Sequence, residues 1–175
     1  MSRCASFRIV CLAIIATQCV APRAALGFAA TNASPDDRLA AEQSAYDQAP
    51  DAVAKAKALA KLEPDVFKKA HDTLLAGDDV SSLAQLERFR DETRTTVTAL
   101  EAIKGNAQDH PAGFKELQIA LREAVREMDA ILLDLPPDKH PWFAAVRSDL
   151  VDSQNELIDL LFPNLPHKEK NPSPS

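Results

Sequence analysis

Cysteine is missing from almost the whole of this 175-residue chain. Its three cysteines, Cys4, Cys11 and Cys19, all fall within the first 19 residues. If that segment is removed, disulfides, thiolate metal sites and a cysteine nucleophile are excluded together. Glycine is nearly as scarce, with Gly27, Gly77, Gly105 and Gly113 the only four. Residues so few and so scattered cannot build a phosphate-cradling loop or a dinucleotide fingerprint. Aromatic residues make up 5% of the chain, with a single tryptophan, Trp142. Positive charge is also in deficit: 20 basic residues face 26 acids, a formal charge of −6.

What is present at the N-terminus explains the cysteines. Arg3 and Arg8 precede an apolar run from Ile9 to Val20 that only Thr17 and Gln18 interrupt. The run is too short for a membrane span, which needs about 20 apolar residues. A basic start, a short apolar stretch and small residues after it describe a secretory signal peptide over residues 1–27. Cleavage is expected after Gly27, with Ala25 three positions from the cut, or alternatively after Ala33. A lipidated Cys19 is disfavoured because Gln18 stands where a small residue is needed. The expected location is therefore outside the cytoplasm, in a periplasm or the exterior, and a cysteine-free mature chain favours a bacterial envelope over a disulfide-stapled secreted domain.

Removal of residues 1–27 takes away Arg3, Arg8 and Arg23 but no acid, so the formal charge becomes −9 over about 148 residues. That length suits one domain with a real core. A strongly acidic surface repels phosphate backbones and anionic lipid, so no nucleic-acid or membrane-surface partner is expected. No stable membrane span is expected after cleavage either.

Alanine, leucine, glutamate and lysine dominate, a composition that favours helix over long windows. Residues 28–35 read as a disordered leader, residues 36–162 as a helical domain, and residues 163–175 as a disordered proline-rich tail. Ser34 and Pro35 suit the cap and first position of a helix marked by Leu39 and Tyr46. Pro50 is expected to end it and to open a second helix to Leu62, with Val53, Ala54, Ala60 and Leu62 as a thin apolar face. Pro64 is expected to break the chain again. Val66, Phe67, Ala70 and Leu74 then recur at helical spacing up to Gly77, a C-terminal cap.

The last three helices have clearer periodicity. Ser81 or Ser82 is expected to cap a helix through Leu83, Leu86, Phe89, Val97, Leu100 and Ile103, ending at Gly105. Phe114, Leu117, Leu121, Val125, Met128, Ile131, Leu132 and Leu135 form one stripe of the next helix. Lys115, Glu116, Arg122, Glu123, Arg126 and Glu127 form its polar face, an amphipathic pattern with one buried side. Pro136 and Pro137 stop it. Pro141 opens the last helix, with Phe143, Val146, Leu150, Leu157 and Leu161 inward and Pro163 at its end. Long amphipathic helices on short loops predict an all-α antiparallel bundle of four to five helices. Leu74 to Asp78, followed by Leu83 and Leu86, resembles the turn of a tetratricopeptide hairpin near the N-terminus of the bundle. The unit does not recur at a 34-residue period, so an array is not expected.

No catalytic, cofactor or metal site emerges. Among His71, His110, His140 and His167 no pair has the i, i+3 or i, i+4 spacing that places two ligands on one helix face. His110 and His140 flank one helix, about 30 Å apart. Covalent haem attachment lacks its Cys-x-x-Cys-His motif, and Met128 sits mid-stripe as a core residue. No serine occupies a Gly-x-Ser-x-Gly elbow. Glu116, Glu123 and Glu127 align with Arg122 and Arg126 as solvated ion pairs.

One local feature points outward. Trp142 and Phe143 follow His140 and Pro141 at a helix start. Neighbours on a helix point about 100° apart, so both cannot face the same core line. One of them is a candidate partner contact, because aromatics are enriched at binding hot spots.

The run Pro111-Ala112-Gly113-Phe114-Lys115-Glu116-Leu117-Gln118-Ile119-Ala120-Leu121-Arg122 resembles a segment of uncharacterised exported bacterial proteins of similar size. The resemblance spans roughly residues 50–162. It implies export and helical architecture and carries no activity, cofactor or functional residue. The leading expectation is thus a non-enzymatic exported helical module that binds a protein partner or a small apolar ligand. The alternatives are a helical enzyme or metal and cofactor carrier of unfamiliar geometry, and a structural oligomer.

Overall fold

The computed structural model describes residues 34–103 and 107–164. The expected signal peptide, residues 28–33 of the expected leader, Gly105, His167 and most of the expected tail lie outside the described residues.

The domain is all-α. The described residues form five helices, α1 (Pro35–Asp47), α2 (Ala52–Leu75), α3 (Asp79–Glu101), α4 (Phe114–Asp134) and α5 (His140–Leu161). Ser34 caps α1 through a hydrogen bond that its hydroxyl accepts from the Asp37 N–H, and the Asp37 carboxylate accepts one from the Ser34 N–H. That reciprocal pair satisfies two amides the helix itself leaves free. Asp51, not Pro50, caps α2, accepting from the Ala54 N–H at 2.8 Å. Pro50 lies in the connection.

Two sequence expectations change here. First, Pro64 does not break the chain; α2 is one 24-residue helix with Pro64 inside it. Pro64 has no N–H to offer the preceding turn, a cost of about 3 kcal/mol in an isolated helix. Burial outweighs it: Ala56, Leu59, Leu62, Val66, Phe67 and Ala70 are all buried in one uninterrupted rhythm, while Pro64 itself faces solvent. Splitting the helix at Pro64 misplaced its apolar face, which runs through Ala56 and Leu59 and not through Ala54 and Ala60. Second, Asp78 caps α3, accepting from the Ser81 N–H at 3.0 Å. Ser82 instead is buried and donates to the Ala70 carbonyl at 2.8 Å, tying α3 to α2. Helix α3 ends at Glu101.

Gly77 ends α2 as expected, with a positive φ of 85°. The α2–α3 hairpin it creates has helices of 24 and 23 residues, longer than a 34-residue tetratricopeptide unit holds.

Helices α2, α3, α5 and α4 form a closed ring in which each packs on its two neighbours, and α1 lies against α2. Ion pairs set the directions. His71 near the end of α2 meets Asp134 at the end of α4, at 3.8 Å. Lys139 at the start of α5 meets Asp79 at the start of α3, at 2.9 Å. Within each hairpin the helices are therefore antiparallel, while α2 beside α4 and α3 beside α5 run parallel. Most of the expected positions form the core: Leu86, Phe89, Val97 and Leu100 from α3, Phe114, Leu117, Leu121, Met128, Ile131 and Leu135 from α4 and its end, and Phe143, Val146, Leu150, Leu157 and Leu161 from α5. Leu83, Val125 and Leu132 are only partly buried, and Ile103, expected inward, is exposed beyond the end of α3. Phe67 and Phe89 meet edge to face at 5.6 Å.

The residue just before α4 lies against the start of α2. Gly113 has a φ of 87°, and a Cβ there would lie 3.1 Å from the Val53 Cα. Glu116 turns back to accept from the Gly113 N–H at 2.7 Å, so it caps α4 and is not part of an open row of acids.

Candidate functional site

The two aromatic candidates separate at the start of α5. Phe143 is 1% exposed and belongs to the core, whereas Trp142 is 57% exposed. A partner meeting the folded domain meets the indole and not the phenyl ring. His140, just before it, donates from Nε2 to the Leu135 carbonyl at 2.9 Å, which ties the start of α5 to the end of α4.

The parallel arrangement of the hairpins gives Trp142 company. The end of α2, the start of α3, the end of α4 and the start of α5 all lie at one end of the bundle. Leu75, Val80 and Leu133 come from the first three of these places, and all are exposed, Leu133 by 86%. Four large apolar side chains thus stand in water at the end where both hairpins turn. The opposite end carries exposed Ile103, Ile119 and Phe162. There a cleft of about 470 Å³ is lined by Pro111, Lys115, Ile119, Leu161 and Phe162, among others.

A different kind of site lies on the seam between α2 and α4. Glu63 is only 5% exposed. It borders a cleft of about 350 Å³ with Pro64, Phe67, Lys68 and His71 of α2 and Glu123, Arg126 and Glu127 of α4. Burial pushes the Glu63 carboxyl up from 4.5 to about 7, with Glu127 and Glu123 adding to the rise and Arg126 opposing it. Removing water from a carboxyl disfavours its charged form, and neighbouring carboxylates do the same. Glu123 and Glu127 were expected on a solvated polar face, and they do sit at its margin. Parallel packing brings that margin against a third acid that periodicity had not marked. Glu63 precedes Pro64, and a helix broken there would have left it at an exposed end.

The buried acid two residues on is handled differently. Asp65 is ion-paired with Arg38 of α1 through two guanidinium nitrogens.

The three described histidines have separate surroundings: His110 is exposed in the loop before α4, and His71 and His140 have the separate partners given above. Among the described residues no group of three His, Cys, Asp or Glu side chains is placed to hold a metal ion. Met128 is fully buried. No helix among the described residues is long and apolar enough to cross a membrane. Neither the family models nor the curated proteins nor the solved structures contain a match to this chain.

Proposed function

We propose that this protein is a non-enzymatic, exported helical module whose work is to bind a protein partner, with Trp142 as the central contact. One observation carries the reading: an indole 57% exposed at the end of the bundle where Leu75, Val80 and Leu133 are also exposed. Isolated apolar residues on a surface are ordinary, but several at one end with the only tryptophan suit an interface core. Export is supported by the basic, apolar and small-residue pattern of residues 1–27. The cleft beside Phe162 supports a second reading, a small apolar ligand held at the other end.

A photo-crosslinking residue at position 142, compared with one at Phe162, tests the proposal in the cells that make the protein. A discrete protein adduct from position 142, with none from 162, is the expected result. Adducts from 162 alone, or from neither position, would overturn it.

A further inference from the structure

The α2–α4 cleft contains an imbalance that the fold does not resolve by itself. Two acids of α2 are buried. Asp65 has Arg38 against it. Glu63 makes no hydrogen bond and no ion pair among the described residues, and it lines the cleft. The cations around it are engaged elsewhere. Arg126 pairs with Glu123. Lys68 holds Asp72 at 2.6 Å, and His71 faces Asp134 at 3.8 Å. Glu127, the third acid of the cleft, likewise has neither a hydrogen bond nor an ion pair among the described residues. After these pairings Glu63 and Glu127 keep no ion pair among the described residues, and only the charge of Arg126 opposes the rise of the Glu63 carboxyl.

We infer that the cleft between α2 and α4 is a binding site for an alkylammonium group, with Glu63 and Glu127 as its acceptors. A primary ammonium carries three N–H donors and no acceptor, so it can donate to Glu63 of α2 and Glu127 of α4 across the cleft and keep one donor for water. A bare metal ion is a poorer occupant, because no three ligating side chains are placed around one point among the described residues. The cleft is also far larger than an ion, and Pro64 and Phe67 give it an apolar wall for a carbon stem. The shared chemistry belongs equally to a free aliphatic amine and to a lysine side chain. Glu63 lies about three turns before Leu75 on α2, so the inference stands independently of the proposed partner surface.

Binding a cation beside Glu63 favours its ionised form, so ligand and proton compete. The titratable and charged groups lining the cleft with Glu63 are Lys68 and His71 on its own helix and Glu123, Arg126 and Glu127 on α4. The test follows the Glu63 side-chain carboxyl by carbon NMR in the full chain. It is titrated against pH with n-butylammonium chloride, with Nα-acetyl-lysine methylamide, and with sodium chloride at matched ionic strength. Both amines are expected to lower the midpoint of Glu63, and sodium chloride is not. Affinity is expected to rise at least about tenfold from pH 5 to pH 8, the scale of a charge-assisted hydrogen bond. E63Q should lose that pH dependence and bind at least about tenfold more weakly, with its helix content by circular dichroism unchanged. Tighter binding of the lysine derivative assigns the site to a partner's side chain, and tighter binding of butylammonium assigns it to a free amine. A Glu63 resonance that responds to neither amine beyond the salt control, or an E63Q affinity equal to the wild type at pH 8, would overturn the inference.

Discussion

Replacing Glu63 by glutamine removes one ionisable group from the α2–α4 seam while keeping its shape. Its carboxyl titrates at about 7 in the folded chain against an ordinary 4.5. At about 1.4 kcal/mol per tenfold, that difference disfavours the ionised form by about 3 kcal/mol. Below pH 4.5 the carboxyl is protonated in folded and unfolded chains alike, and the cleft holds a neutral group. Between pH 4.5 and 7 the unfolded chain gives up the proton first, so rising pH favours unfolding. Above pH 7 the carboxyl is ionised in both states and the full destabilisation is present. Glutamine is neutral throughout, so E63Q should match the wild type near pH 4 and exceed it by up to about 3 kcal/mol at pH 8. Urea unfolding followed by circular dichroism reads this directly. At an m of about 2 kcal/mol/M, the midpoint of E63Q should lie about 1.5 M above the wild type at pH 8. The comparison is made in amine-free buffer, since a bound ammonium ion would stabilise the wild type. A midpoint difference that stays constant from pH 4 to pH 8, or one that favours the wild type at pH 8, would refute the account of Glu63.

The adjacent aromatics should behave oppositely. Phe143→Ala opens a cavity in the core and is expected to cost about 3–5 kcal/mol, whereas Trp142→Ala should change stability by less than about 1 kcal/mol; thermal unfolding of the two variants side by side checks this. Gly113→Ala is expected to destabilise by about 2 kcal/mol, from its positive φ together with the approach of Val53. Gly77→Ala, at a similar φ but in open space, should cost only about 1 kcal/mol. Equal losses at the two glycines in urea unfolding would show that the contact with Val53 contributes nothing.

Much of the domain was legible in the chain because its signals are local. The stripe from Phe114 to Leu135 and the inward set from Phe143 to Leu161 follow from helical spacing alone, and each residue of the latter is buried. Ser34 with Pro35, and Gly77, mark ends because caps and positive φ act over a few residues. Local rules failed where distant packing outweighed them. Pro64 reads as a break until α2 is seen to pack against α1, α3 and α4, which stabilises a helix that its own backbone opposes. Ser82 reads as a cap until the Ala70 carbonyl proves to be its acceptor.

The sequence by itself determined the helical class, the ends marked by Ser34 and Gly77, the acidity and the conflict between Trp142 and Phe143, since all of these depend on composition or on neighbours within one turn. Which aromatic faces water depended on where α5 meets its neighbours. Only the tertiary structure decided that α2 lies parallel to α4, that Leu75, Val80, Leu133 and Trp142 share one end, and that Glu63 faces Glu123 and Glu127. The relations between hairpins join residues about 60 positions apart, and no periodicity within either helix specifies which margin of its partner it will meet.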